Sequence, residues 1–254
     1  MSQVPAATRT LRVLRFLASQ PDPVPIESIC RACDLPRSSA YHLLSAMADE
    51  GFVVHLEEER RYGLGVAAFE VGSGYSRQAP LQRLARHHLQ ALVDRVGETA
   101  HLAVLHGRDV LYVAEERALG RPSLVTDIGV RLPAHLTASG RALLAQLPAA
   151  QVRALYPSAA ALVDRTGQGP RALGALRSVL TDVRRRGYAT EDGEVTLGFA
   201  SVASAVLDHN GLPAAAVAVT VEGDGAAALV GAVRDAAAAL SRRIGGRPVG
   251  ETTA

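Results

Sequence analysis

The sequence predicts an α+β chain, with a winged helix-turn-helix at the N-terminus and a larger domain of helices around an antiparallel sheet behind it. Three observations predict this. Pro25 to Leu64 carries two helical patterns split by a tight turn, then two short strand-like runs. From Thr99 the apolar period drops to two or becomes continuous, in two hairpin-connected groups at 99–115 and 200–221 flanked by helical stretches. Finally, 254 residues at 48% hydrophobic content suffice for two domains and a sizeable core in the larger one.

Taken in order, Met1 to Pro5 is expected to be a disordered lead. Thr8 to Ser19 reads as a supporting helix with Leu11, Val13, Leu14 and Leu17 inward. The run PDPVP at 21–25 forces extended backbone and ends that helix. Ile26, Ile29, Cys30 and Cys33 then fall at 0, +3, +4 and +7, one face of a half-buried helix. Asp34 and Leu35 break it, and Pro36 suits the first position of the next helix, where a missing N–H costs nothing. In that next helix Arg37, Ser38, Ser39, Tyr41 and His42 crowd the first turn and a half, while Ala40, Leu43, Leu44 and Met47 form the inward stripe. A recognition helix needs this division, because its N-terminal residues reach base edges in the major groove while the rest locks it to the domain. Gly51 closes the helix in a left-handed conformation. Phe52 to His55 and Arg61 to Leu64 read as the strands of a wing, with Glu57, Glu58, Glu59 and Arg60 at its solvated tip.

The DNA-binding domain is therefore expected over 1–64. A linker helix over 65–80 follows, built on Val66 to Tyr75, with Phe69 on its apolar side and Gly72 and Gly74 interrupting it. A helix from Leu81 to Val96, stopped by Gly97, opens the second domain, 81–254. There a hairpin turns at Gly107-Arg108, and a loop runs through Arg131, Pro133 and Thr137. Helices are expected at Ser139 to Leu147, Ala172 to Arg186 and Ala226 to Ile244, with an acidic loop at 191–194 and strands Ala200 to Leu207 and Pro213 to Val221. The stretch 157–170 reads as loop or weak helix.

Composition excludes several chemistries. All 27 basic residues are arginine, so there is no P-loop lysine, Schiff base or Ser-Lys dyad. Neither H-E-x-x-H nor G-x-S-x-G occurs, and no cofactor is implied. Cys30 and Cys33 have C-x-x-C spacing, but no second pair stands at zinc-site spacing, and both fall on the apolar face of a helix; they read as buried small residues. His87 and His88 lie on an exposed helical stretch, and His101 and His106 at strand ends, so no metal site is expected. His135 divides between a ligand contact and a structural role. With no signal segment and no bilayer-length apolar run, the chain is expected to be cytoplasmic and free of membrane contact. One feature opposes DNA binding: residues 1–75 hold seven arginines against nine acids, net −2. The distribution softens this, because no acid intervenes between Asp34 and Asp49, and Arg9, Arg12 and Arg15 lie on or near one face of the first helix. Modest affinity per head is expected, with two or more heads acting together.

Five segments in order, LRVLRFLA at 11–18, LPRSSAYHLLSAMADEGFV at 35–53, RYGLG at 61–65, LPAHLTASGRALLA at 132–145 and RRGYATEDGEVTLGFASVASAVLD at 185–208, make the chain similar to IclR-family transcriptional regulators through nearly its whole length. The resemblance implies a winged helix on a double-stranded DNA operator, a GAF-like C-terminal domain for a small effector, and a homodimer or homotetramer. It places base and phosphate contacts on Arg37, Ser38, Ser39, Tyr41 and His42, to which the wing adds Arg60 and Arg61. His42 departs from an arginine common in similar proteins, and a neutral histidine is a weaker phosphate ligand. The resemblance places the effector pocket on Ala138 and Ser139 by their amides, Glu191 where Asp is common, Ser201 where Cys is common, and Ala218 and Thr220 at two small hydroxyl positions. A helix starting at Thr137 or Ala138 points unpaired amides at an acceptor, so the effector is expected to carry one acidic or carbonyl end. An enzyme built on the C-terminal domain is the alternative class. A helix-turn-helix used only for protein contacts is a third.

Overall fold

The computed structural model describes residues 4–78, 80–121 and 124–250. Among them the chain divides into two compact units, 1–79 and 80–254.

In the first unit, α1 (Pro5–Ala18), α2 (Ile26–Cys33) and α3 (Arg37–Asp49) bury Val13, Leu17, Ile26, Ile29, Cys33, Leu35, Ala40, Leu44 and Met47 around one small core. The expected lead is thus reduced: Pro5 already opens α1, and Met1 to Gln3 lie outside the described residues. Val13 and Leu17 point inward as expected, whereas Leu11 is exposed. Asp34 ends α2 in the left-handed region at φ 53°, which a short polar side chain tolerates, and Arg12 donates to the Cys33 carbonyl from α1. Pro36 sits one position earlier than expected, as the cap of α3, its carbonyl accepting from Ala40. Gly51 takes φ 71° beyond α3. The wing is β2 (Val53–Leu56) against β3 (Arg61–Leu64), and a two-residue strand β1 (Val24–Pro25) pairs with the other side of β3. The helix α4 (Val66–Gln78) runs through Gly72 and Gly74 without interruption and counts with the first unit, while Phe69, expected to pack, is 74% exposed.

The second unit opens at Pro80 with α5 (Pro80–Val96). The hairpin β4 (Thr99–His106) and β5 (Asp109–Glu116) follows, then β6 (Arg131–Pro133), α6 (Ala138–Gln146), α7 (Ala149–Leu155) and α8 (Leu173–Arg186). The chain closes with β7 (Ala189–Asp192), β8 (Phe199–Leu207), β9 (Pro213–Glu222) and α9 (Val230–Arg243). The six strands form one antiparallel sheet in the order β6-β5-β4-β9-β8-β7, so β4 and β9 join the two expected hairpin groups at its centre.

Period two decides which layer each side chain enters. Val217, Val219 and Val221 of β9 join Leu102 and Val202 on the face covered by Leu89 and Leu92 of α5 and Leu240 of α9. Ala216 and Ala218 turn the other way, with Ala103, Ala203 and Ala205, toward Leu143 and Leu144 of α6 and Leu176 and Leu180 of α8. Small side chains on that second face let α6 lie close to the sheet, and Gly140 lets the preceding turn lie close to α6: a Cβ there would sit 2.1 Å from the Ala134 carbonyl oxygen. Strand β7 was not expected. Its polar Thr-Glu-Asp reads as loop, yet Ala189 and Glu191 are its inward residues and both are buried.

Candidate functional site

On the first unit the outward face of α3 carries Arg37, Ser38, Tyr41 and His42, all exposed, with Ser39 half-buried beside them. Ser45, one turn beyond Tyr41, is exposed on the same helix; sequence reasoning stopped short of it, although its spacing from Tyr41 is the helical one. Arg37 lies 3.0 Å from Glu27 of α2 and donates to the Tyr41 hydroxyl at 3.4 Å, with its guanidinium 5.8 Å from the Tyr41 ring. The Arg37 guanidinium is thus held in a solvent-exposed pair. Arg60 occupies the wing tip at φ 53°, and the Arg61 guanidinium donates to the Pro23 carbonyl at 2.8 Å, which ties the wing to β1.

On the second unit a cavity of roughly 570 Å³, counted to its open mouth, lies between the small-residue face of the sheet and the start of α6. Ala138, Ser139, Glu191, Ser201, Ala218 and Thr220, the six residues expected at the effector site, all line it. Sheet register explains the convergence of the side chains. Glu191 is opposite Ser201, and Ser201 opposite Thr220, so an acid and two hydroxyls from three adjacent strands form one row on one face. The two hydroxyls lie 3.0 Å apart. Thr137 caps α6, its hydroxyl accepting from the Gly140 amide at 2.9 Å while its carbonyl accepts from Arg141. The cap leaves the amides of Ala138 and Ser139 without an intrahelical acceptor, at the positive end of the helix.

Burial pushes the Glu191 carboxyl up, against the opposing pull of the Val195 amide at 3.0 Å and the Ser201 hydroxyl. Arg141, 4% exposed, holds Glu194, which does not line the cavity: it pairs with Glu194 at 2.8 Å and donates to the carbonyls of His135 and Thr190. Thr137, named in the sequence only as a possible helix start, also lines the cavity, and among the lining residues that escaped the sequence reading are Tyr112, Thr126 and Phe199. Tyr112 faces the Ser139 hydroxyl, and burial pushes its phenol up. Behind the wall stands His101, expected at a strand end but fully buried within β4, its Nε2 2.8 Å from Thr126 Oγ1 and 3.5 Å from Glu115 Oε2. The signal available was its place in the apolar run from Thr99 to Leu105; that it lies opposite Ala218 is visible only in the sheet. His135 lies outside the cavity lining, with Nε2 2.9 Å from the Val163 carbonyl oxygen and its ring edge-on to Tyr156, so its role is structural. Among the described residues no group of His, Cys, Asp and Glu could hold a metal ion, and no helix is long and apolar enough to cross a membrane.

A winged helix with a polar reading face and a ligand-sized cavity in a separate unit is matched by the comparisons with known proteins. Residues 6–57 fit the model of the IclR helix-turn-helix domain, and residues 73–242 that of the bacterial transcriptional regulator IclR C-terminal domain. The chain belongs to the IclR family. This regulator is 33% identical over 244 residues to the glycerol operon regulatory protein of Streptomyces coelicolor, covering 93% of this chain and 95% of that one. It is 30% identical over 222 residues to the transcriptional repressor IclR of Escherichia coli, covering 86% and 80%. Among solved structures, an IclR homologue of Microbacterium hydrocarbonoxydans complexed with 4-hydroxybenzoate has the same fold, with a TM-score of 0.81 at 23% identity over 94% of this chain and 98% of that one. The IclR-family chain is therefore a transcriptional regulator with a helix-turn-helix DNA-binding domain and a C-terminal effector-binding domain, not an enzyme.

Proposed function

We propose that this IclR-family protein works in the cytoplasm as a homodimer or homotetramer, reads its operator through Arg37, Ser38, Ser39, Tyr41 and His42 with Arg60 and Arg61 of the wing, and is switched by a small molecule in the α6 cavity. The effector has one acidic or carbonyl end on the Ala138 and Ser139 amides, and a neutral or cationic, partly apolar remainder. The observation that carries this reading is the convergence of helix amides, Glu191, Ser201 and Thr220 on one cavity whose other walls include Tyr112, Val125, Val195 and Phe199. An acceptor belongs at the helix start. A second carboxylate beside Glu191 is repelled unless one of the two is protonated, which disfavours small dianions. The bound 4-hydroxybenzoate of the M. hydrocarbonoxydans homologue, an aromatic body with one carboxylate, is of the proposed class.

A thermal-shift screen of small carboxylates and aromatics tests the reading, followed by operator titration with each compound that stabilises the protein. Stabilising compounds are expected to be monocarboxylates or ketones with an apolar body and to change operator affinity, since a ligand that distinguishes two states shifts the balance between them. A screen answered only by dicarboxylates sinks the proposed effector class.

A further inference from the structure

A second cavity, sharing no lining residue with the α6 cavity, lies where α7 and α8 leave a groove of about 690 Å³, counted out into open solvent. Its floor is apolar: Val152 and Tyr156 from α7 and its end, and Leu173, Leu176 and Leu180 along α8 at 0, +3 and +7, one face of that helix. Three guanidiniums rim it, those of Arg153, Arg177 and Arg184, and no carboxylate lines it among the described residues. The nearby acid Asp182 is engaged elsewhere on α8, by Arg185 at 2.7 Å and Arg186 at 4.0 Å. Arg184 is fixed, donating to the carbonyls of Ala145 and Leu147 where α6 ends. Arg153 and Arg177 are exposed and, among the described residues, in no ion pair.

A trough floored by the buried Tyr156, Leu176 and Leu180, with the half-buried Val152 and Leu173 beside them and cations from both helices at its rim, has the complementarity of an anionic amphiphile, whose tail covers Val152 and Leu173 while its head meets guanidinium donors. We infer that the α7–α8 groove is a second ligand site, for a monoanionic amphiphile with an alkyl or aryl body, separate from the effector cavity. A dianion without an apolar body leaves the floor wet, and a neutral lipid leaves the arginines unanswered.

The probe is sodium dodecanoate, kept below micelle-forming concentration and titrated calorimetrically into the full chain, with acetate and dodecanol as the head and tail alone. Dodecanoate is expected to bind and the other two to give no saturable heat. The double substitution Arg153→Gln with Arg177→Gln changes two exposed side chains and is expected to leave the melting midpoint in place while weakening dodecanoate about tenfold. Glu191→Gln is expected to leave dodecanoate affinity unchanged. The inference is overturned if the parent does not bind, or if the double variant binds as the parent does. A shift in oligomeric state in the double variant with binding intact overturns it too, since the groove then seats a second copy. So does tighter binding in Glu191→Gln, which places the anion in the effector cavity. Of these outcomes only the last touches the α6 cavity, and it favours that cavity as an anion site while removing the groove; the others leave the proposed effector site as it stands.

Discussion

In the proposed operator contact, Arg37 is the side chain on which sequence reading most depends. It is exposed at the start of α3, and Glu27 and Tyr41 hold it in a pair that a surface environment makes weak. The proposed contact thus requires displacing Glu27 only at small cost, and a guanidinium bidentate to guanine discriminates by about 1–3 kcal/mol. Arg37→Ala is expected to weaken operator binding by that amount and random DNA by much less, measured at one fixed salt concentration. Equal losses on both make Arg37 a phosphate contact only. Glu191 gives a second prediction at this scale. Its folded carboxyl titrates above the ordinary 4.5 because it is buried. In the window between 4.5 and that raised value the folded state holds a proton that the unfolded chain has lost, so stability falls as pH rises through it. Glu191→Gln removes this penalty. The variant is expected to melt above the parent at pH 7, with the gap closing below pH 4.5. A gap that persists or grows in acid contradicts the burial account.

At the scale of the element, α6 carries the site. Thr137 satisfies the Gly140 amide, so Thr137→Ala is expected to cost about 1 kcal/mol of unfolding free energy. Gly140→Ala places a methyl 2.1 Å from the Ala134 carbonyl oxygen and forces backbone to move, which costs about 1–3 kcal/mol or more. Urea denaturation measures both. If Gly140→Ala proves as stable as the parent, α6 does not pack against the preceding turn as described. The helices and the wing were legible in the sequence because their apolar residues keep a strict period, and because Gly51 and Gly187 mark helix ends by their left-handed conformation. Elements of low contrast were not legible. Strand β7 hides behind Thr190, Glu191 and Asp192, whose polarity reads as loop until Ser201 is seen across the sheet. The two-residue β1 has no period at all. The helix α7 follows Pro148 directly and buries none of its own side chains fully, so no stripe announces it. The effector residues came from family resemblance. Tyr112, Thr126 and Phe199 belong to the cavity through long-range strand pairing and loop placement, which one sequence does not display.

For the whole molecule, charge sets the terms. With net −2 over residues 1–75, a single head gains little from phosphate neutralisation, and the proposed homodimer or homotetramer would supply specific affinity through two heads on one DNA face. Footprinting is expected to show a pseudo-palindrome with half-sites about one helical turn, or a multiple of it, apart. A single half-site bound tightly by a monomer contradicts this. If the proposed cavity at the start of α6 governs DNA binding, operator release responds to a compound from the thermal-shift screen, with 4-hydroxybenzoate as the first probe. Three proteins are compared: the parent; Ser139→Pro, which lacks one amide donor; and Glu191→Ala, which lacks the acid opposite. The compound is expected to shift the parent's operator affinity, and each substitution to move the concentration required by about tenfold, the worth of one hydrogen bond to a charged group. If both variants respond at the parent's concentration, the effector binds elsewhere and the claim fails.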